Sequence, residues 1–232
     1  MNYAWFSVNC TCLDPLLSSL IELSVALQNG DEVRRLHWVI DPLPLEKDET
    51  YKDLDPASLH AYYEKKNKDP MNKLTLASHR SYNYLFNPKT LQHSGVDSFD
   101  VLIGRTALPA AKALSELAAA LSCCQWVPVG HGIRFVADQI RGWAARVDKH
   151  CSNLLEQNVE WSKALDTVSF FKVVAALRPT LGMQGLSLKD LASSCGHSIG
   201  TSTESKLSGL LDVCSYVTGT PHAKAVYNVV PS

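Results

Sequence analysis

The sequence predicts an α/β domain, a mixed sheet flanked by helices. Two observations carry this. The first forty residues hold three segments rich in aromatic and aliphatic residues, separated by turn chemistry. From about residue 108 the pattern becomes helical, interrupted by one further short strand that ends at Val129. Strands first, then helices with a strand among them, suit a layered sheet-and-helix architecture.

The elements follow in order. Tyr3–Val8 opens the chain as a strand, with Tyr3, Ala4, Trp5 and Phe6 as its apolar run, and Leu13-Asp14-Pro15 supplies a turn. Leu20–Gln28 and Val33–Ile40 read as two more strands, joined at Asn29-Gly30-Asp31, a hairpin signal. From Pro42 to about Thr90 the chain is polar and punctuated by proline, with a helical start at Asp55-Pro56, a cap residue followed by proline at the first helical position. Lys65, Lys66, Lys68 and Lys73 lie there among Tyr62, Tyr63, Tyr82, Tyr84 and Phe86. Basic residues interleaved with aromatics track a backbone and stack bases; the same pattern also describes a solvated insertion whose aromatics tack it to the core. Leu108–Leu121 is alanine- and leucine-rich with Pro109 near its start, a helix. After Val129 come a glycine-flanked His131 and a helix from about Arg134 that carries Arg141. Leu165–Leu177 and Leu186–Ser194 are further helices, and the last runs from near Ser205 to Val217.

Length and composition narrow the reading. A chain of 232 residues is long enough for a proper core, here a single domain over 1–232 with a polar insertion at about 43–90. The formal net charge is −1, so nucleic acid is not held by bulk charge and any contact with it is local. No run of 18 apolar residues spans a bilayer. The opening MNYAWFSVN lacks the basic and apolar regions of a signal peptide, so the expected setting is the cytoplasm or another reducing compartment. Seven cysteines, an odd number, argue against a complete disulfide framework. Cys123-Cys124, His150-Cys151 and Cys195-Gly196-His197 lack paired C-x-x-C spacing, so buried reduced thiols are expected rather than zinc ligands.

Six stretches together resemble one family. Phe6–Pro15, FSVNCTCLDP, is similar to the first motif of the DnaQ-like (DEDDh) 3′–5′ exonucleases of the ribonuclease-H-like superfamily, F-D-x-E-T-T-G-L-D-P. Phe6, Thr11, Leu13, Asp14 and Pro15 match in register, but Ser7 and Asn9 stand where the family has a metal-binding Asp and Glu. His93-Ser94-Gly95-Val96 resembles a short H-G-I/V segment of the family. Val129–Val136 resembles its V-A-H-N-x-x-F-D motif, with His131 and Phe135 matched and Val136 in place of Asp. Leu165-Asp166-Thr167 resembles its D-T step, and Leu186–Gly196 a helix of the family. Leu207–Val213 is set against its final H-x-A-L-x-D-A, which retains Asp212 and puts Leu207 at the general-base histidine.

The resemblance implies a ribonuclease-H-like fold whose chemistry has been removed. The family's four carboxylates hold two divalent ions roughly 3.5–4 Å apart, which activate water and stabilise the leaving oxygen. Hard cations want anionic oxygen ligands, and this register leaves Asp212 alone among neutral Ser7, Asn9 and Val136. Leu207 cannot abstract a proton. No metal or other cofactor is therefore expected. Mg²⁺ or Mn²⁺ enters only under the alternative, an active exonuclease with relocated acids, for which Asp14, Asp138 and Asp166 are the nearby acids. The expected role is binding, of single-stranded nucleic acid or a partner protein, through the former active-site groove. Candidate nucleic-acid contacts are His131, Arg134, Arg141, Lys65, Lys66 and Lys68.

Overall fold

The computed structural model describes residues 1–45, 74–80, 82–177, 185–218 and 226–227. The expectations for Asp55, Pro56, Tyr62, Tyr63, Lys65, Lys66, Lys68 and Lys73 lie outside the described residues.

Three strands form where the aromatic and β-branched runs place them: β1 (Asn2–Cys10), β2 (Leu20–Asn29) and β3 (Glu32–Val39). Gly30 takes the left-handed conformation (φ +59°) that turns β2 into β3. A second, two-stranded sheet pairs β4 (Thr75–His79) with β5 (Tyr82–Phe86), followed by α1 (Pro88–His93), α2 (Phe99–Ile103) and α3 (Ala110–Leu121). Next come β6 (Val127–Gly130), α4 (Ile133–Val147), α5 (Lys149–Asn158), β7 (Leu165–Asp166), α6 (Thr167–Leu177), α7 (Leu188–Ser194), α8 (Thr203–Thr218) and β8 (Val226–Tyr227). The main sheet has the order β7-β6-β1-β2-β3-β8. It is mixed, because β1 runs antiparallel to β2 and parallel to β6.

Helices cover both faces. On one side Leu114, Leu117, Val136, Ile140 and Trp143 of α3 and α4 close over Phe6, Val25 and Trp38. On the other, Leu207 and Leu211 of α8 pack on Ala26 and Val33, while Leu210 and Val213 meet Phe171 and Leu191. Alternation along β1 sends Phe6 to the first core and leaves Trp5 packed against the second. Ser7 and Asn9 share Trp5's face, which is that of α8.

Part of the region expected to be a polar insertion is ordered structure. The β4–β5 hairpin packs by Tyr84 and Phe86 on Phe99, with ring centroids 5.2 Å apart in both pairs. These two aromatics belong to a core of Ile21, Leu91 and Leu102, not to a stacking platform. Helices α1, α2 and α5 also lay outside the sequence expectation. All seven cysteines are free thiols, with Cys10 and Cys12 buried.

Two consequences are measurable. Gly142 lies inside α4, where alanine ordinarily gains about 1 kcal/mol over glycine. Here a Cβ would run into the backbone carbonyl of Pro15, so Gly142→Ala is expected to destabilise by about 2 kcal/mol, as overpacking does; urea midpoints check the sign. Burial pushes the thiol of Cys10 up to about 11 and that of Cys12 up to about 12, from an ordinary 9.0. A thiol whose folded pKa is raised stabilises the fold fully below pH 9, and that contribution is lost as pH rises through the folded values. Stability should therefore fall between about pH 9 and pH 12, and urea titrations across that range should find a smaller fall in Cys12→Ala.

Candidate functional site

The carboxyl end of β1, the start of α4 and the start of α8 enclose a cleft of about 440 Å³. Its lining includes Ser7 from β1, His131 and Val136 from the β6–α4 turn and helix, Thr201 and Lys206 from the approach to α8 and its first turns, and His93 from the end of α1. Phe135, Leu188, Ile199 and Leu210 give it an apolar wall, and Lys189 adds a second cation.

The floor is a chain of buried polar contacts centred on Asn9, which is 3% exposed. The Asn9 amide donates to Glu22 Oε2 at 2.6 Å and to the Thr201 carbonyl at 3.1 Å. Its Oδ1 accepts from Lys206 Nζ at 2.6 Å, and Lys206 Nζ also donates to the His93 carbonyl at 3.4 Å. Glu22 faces Asn9 across the β1–β2 ladder, one step before the register shifts between Asn9 and Cys10. Its other oxygen lies 3.7 Å from His37 Nε2, whose ring bonds Ser24, which in turn bonds Thr203 at the start of α8. Burial lowers the pKa of Lys206 from its usual value, and Glu22 and then Cys10 oppose that shift. Burial likewise lowers that of Arg105, against the pull of Glu22 and Asp41. One buried carboxylate thus serves several cations.

Local structure fixes these positions. Ser202 caps α8, its hydroxyl accepting from the Ser205 amide at 3.2 Å. The helix therefore starts at Thr203 and delivers Lys206, not a later residue, to the end of β1. Gly95 has φ +72°, and a side chain there would collide with Thr201, so the α1 corner seats directly on the loop before α8. His131 is half-buried, with Nδ1 3.2 Å from Thr167 Oγ1. Thr167 Oγ1 also donates to the Gly130 carbonyl at 3.2 Å. Burial lowers the pKa of His131, with Asp166 and a backbone bond to Leu186 opposing, so it enters the cleft as a neutral hydrogen-bonding group at pH 7.

The other sequence candidates fall elsewhere. Leu207 is 2% exposed in the apolar core beside Ala26 and Val33. Asp212 is six residues beyond Lys206, about 9 Å along the helix and about 240° round it, and is not part of the cleft lining. The sequence match that placed them was anchored on Asp212, whereas the serine–threonine run before Glu204 marks the start of α8 at Thr203. Arg134 is exposed in the first turn of α4, with no ion pair among the described residues. Arg141 is instead occupied in a two-pronged pair with Glu156, at 2.6 and 3.2 Å. Asp166 caps the turn, accepting from the Gly132 and Val168 amides, and Asp14 accepts from Leu16. Glu22, Lys189, Thr201 and Lys206 were not singled out from the sequence.

These residues do not fit a two-metal centre. Among the described residues no Asp or Glu lines the cleft, and no three His, Cys, Asp or Glu side chains group to hold an ion. A divalent ion about 4 Å from the Lys206 ammonium would be repelled by roughly 8 kcal/mol at an effective dielectric of about 20. What the arrangement offers is a fixed cation, neutral hydrogen-bonding groups and an apolar wall. Asn9→Leu would strand Lys206 and Glu22 together, so a loss of about 3 kcal/mol is expected in urea unfolding; a loss below about 1 kcal/mol would contradict this account of the floor.

No protein-family model and no curated protein matches this sequence. Solved structures do match. Escherichia coli exonuclease I in complex with a 5cy-dT13 oligonucleotide aligns with TM-score 0.60 and 11% identity over 94% of this chain. The zinc-bound form of the same enzyme's complex with single-stranded DNA gives 0.63 and 12% over 94%, and apo exonuclease I gives 0.58 and 11% over 92%. This chain spans 40%, 40% and 42% of those three chains. Among the described residues no helix is long and apolar enough to cross a membrane. The likeness is one of fold: this chain has a ribonuclease-H-like fold similar to that of exonuclease I, a DnaQ-like exonuclease.

Proposed function

We propose that this protein holds single-stranded nucleic acid in the cleft without cleaving it. The observation that carries the reading is the Lys206 ammonium bonded to Asn9 on the cleft floor. Thr201 and Lys206 are five residues apart, the spacing of the histidine and last acid in the family's final motif, and both line the cleft. With that register the family's metal-binding positions become Ser7, Asn9, Val136 and Lys206: two neutral polar groups, an aliphatic one and a cation. The general-base position becomes Thr201, whose hydroxyl does not titrate near neutral pH. A site with a positive charge in place of the last carboxylate has neither the ligands for two ions nor a base.

Binding is what the remaining features support. The exonuclease I structures that share the fold include complexes with oligonucleotides. The cleft here keeps an open shape, an aromatic at Phe135 and two lysines, and Arg134 stands exposed beside Phe135. Backbone contacts of this kind are few and local, in keeping with a chain of net charge −1.

The test combines cleavage and binding. With a 5′-labelled single strand and millimolar Mg²⁺ or Mn²⁺, no shortened product is expected, and neither ion should raise the melting temperature. Fluorescence anisotropy should find saturable binding that weakens as salt rises, with Arg134→Ala several-fold weaker. Metal-dependent product would reject the reading in favour of an active exonuclease with relocated acids. No binding even at low salt would reject nucleic acid and leave the apolar wall as a seat for a partner protein.

A further inference from the structure

We propose that the cleft takes a nucleotide phosphate directly on the Lys206 ammonium, without a divalent ion. The inference rests on the reading of the cleft as a nucleic-acid site and specifies the chemistry by which it grips.

An ammonium carries three N–H donors. Asn9 Oδ1 accepts one at 2.6 Å, and the His93 carbonyl, at 3.4 Å, is a long second partner. A third donor remains for the cleft that Lys206 lines. The group is also held ready. Asn9 spends both amide protons on Glu22 and Thr201, so only its oxygen can face Lys206, and Glu22 fixes which way the amide points. A side chain already locked loses little rotamer freedom when a ligand arrives.

The charge pattern selects the ligand's sign. Lys189 and Lys206 line the cleft, and among the described residues no carboxylate does. Glu22 lies one hydrogen bond behind Asn9, 7% exposed, and is shared with His37 and Arg105. It supports Lys206 from beneath without covering it. Neutral hydroxyls that line the same cleft, Ser7, which makes no hydrogen bond to a described residue, and Thr201, are partners for further phosphate oxygens. The other wall is Phe135, Val136, Leu188 and Leu210, an apolar and aromatic surface against which a base can lie. A volume of about 440 Å³ is in the range of small-ligand pockets. Phosphate on one side and apolar surface on the other describe a nucleotide, free or at the end of a strand.

The experiment is calorimetric titration in EDTA with a nucleoside monophosphate, the matching nucleoside, and inorganic phosphate, followed by competition of each against a labelled single strand. The monophosphate is expected to bind at least tenfold more tightly than the nucleoside, with no gain on adding Mg²⁺. Lys206→Gln keeps an N–H for Asn9 while removing the charge, and should weaken the monophosphate at least tenfold while the protein still unfolds in one cooperative thermal transition. Lys206→Met gives the same loss if the charge, not the fold, is responsible. Inorganic phosphate that displaces the strand supports direct phosphate contact, and its affinity relative to the monophosphate separates a bare phosphate site from a nucleotide site. Equal binding of nucleoside and monophosphate, a requirement for Mg²⁺, or indifference to Lys206→Gln would overturn the proposal. Strand binding that ignores Lys206→Gln overturns it while the strand-holding function stands. Monophosphate binding lost in Lys206→Gln, with no strand binding by the wild type, upholds it and removes that function.

Discussion

The site depends on one buried amide. Asn9 sits at the end of the central strand with its three hydrogen-bonding directions committed, to Glu22, to the Thr201 carbonyl and to Lys206. An unsatisfied polar group at that depth costs about 1–3 kcal/mol, so each partner is constrained by the others. The amide joins β1 to β2 through Glu22, to the loop before α8 through Thr201, and to α8 itself through Lys206. Sheet and helix are thereby registered to one another at the point where the cleft opens.

The framework that presents Asn9 is set by strand pairing. β1 is bonded on both edges, antiparallel to β2 and parallel to β6, and so cannot slip by one residue without turning Phe6 out of one core and Trp5 out of the other. The same pairing brings the β6–α4 turn, with His131 and Val136, beside Ser7. Val136 helps close the apolar core and line the cleft at once. A residue with both duties cannot be made polar without opening the core beneath it.

Much of this was legible because strong local signals agree with tertiary need. Tyr3–Phe6, the Asn29-Gly30-Asp31 turn and the alanine–leucine helix at 110–121 each report their own conformation, and the order of motif-like stretches pointed to the fold. Features that depend on distant partners did not show. The β4–β5 hairpin reads as polar because its apolar residues are few and meet small separate clusters, Leu85 with Cys12, Leu17 and Leu45, and Tyr84 and Phe86 with Phe99. α5 has the low mean hydropathy of a helix that buries little besides Leu155. Lys206 was hidden for a different reason. A lysine on a helix face is ordinarily solvated, and nothing local says that this one lies beneath a loop seated on Gly95. The sequence match rested on Asp212 instead.

Glu22 also bears on how the cleft can change by single substitutions. A carboxylate introduced at position 206 would meet the Asn9 carbonyl oxygen with no proton to share, and would leave Glu22 without the ammonium it supports. Replacing Asn9 by an acid would set two carboxylates against each other at the 2.6 Å contact that the amide now bridges. Any route to a metal-holding cleft through these positions therefore crosses intermediates less sound than either end.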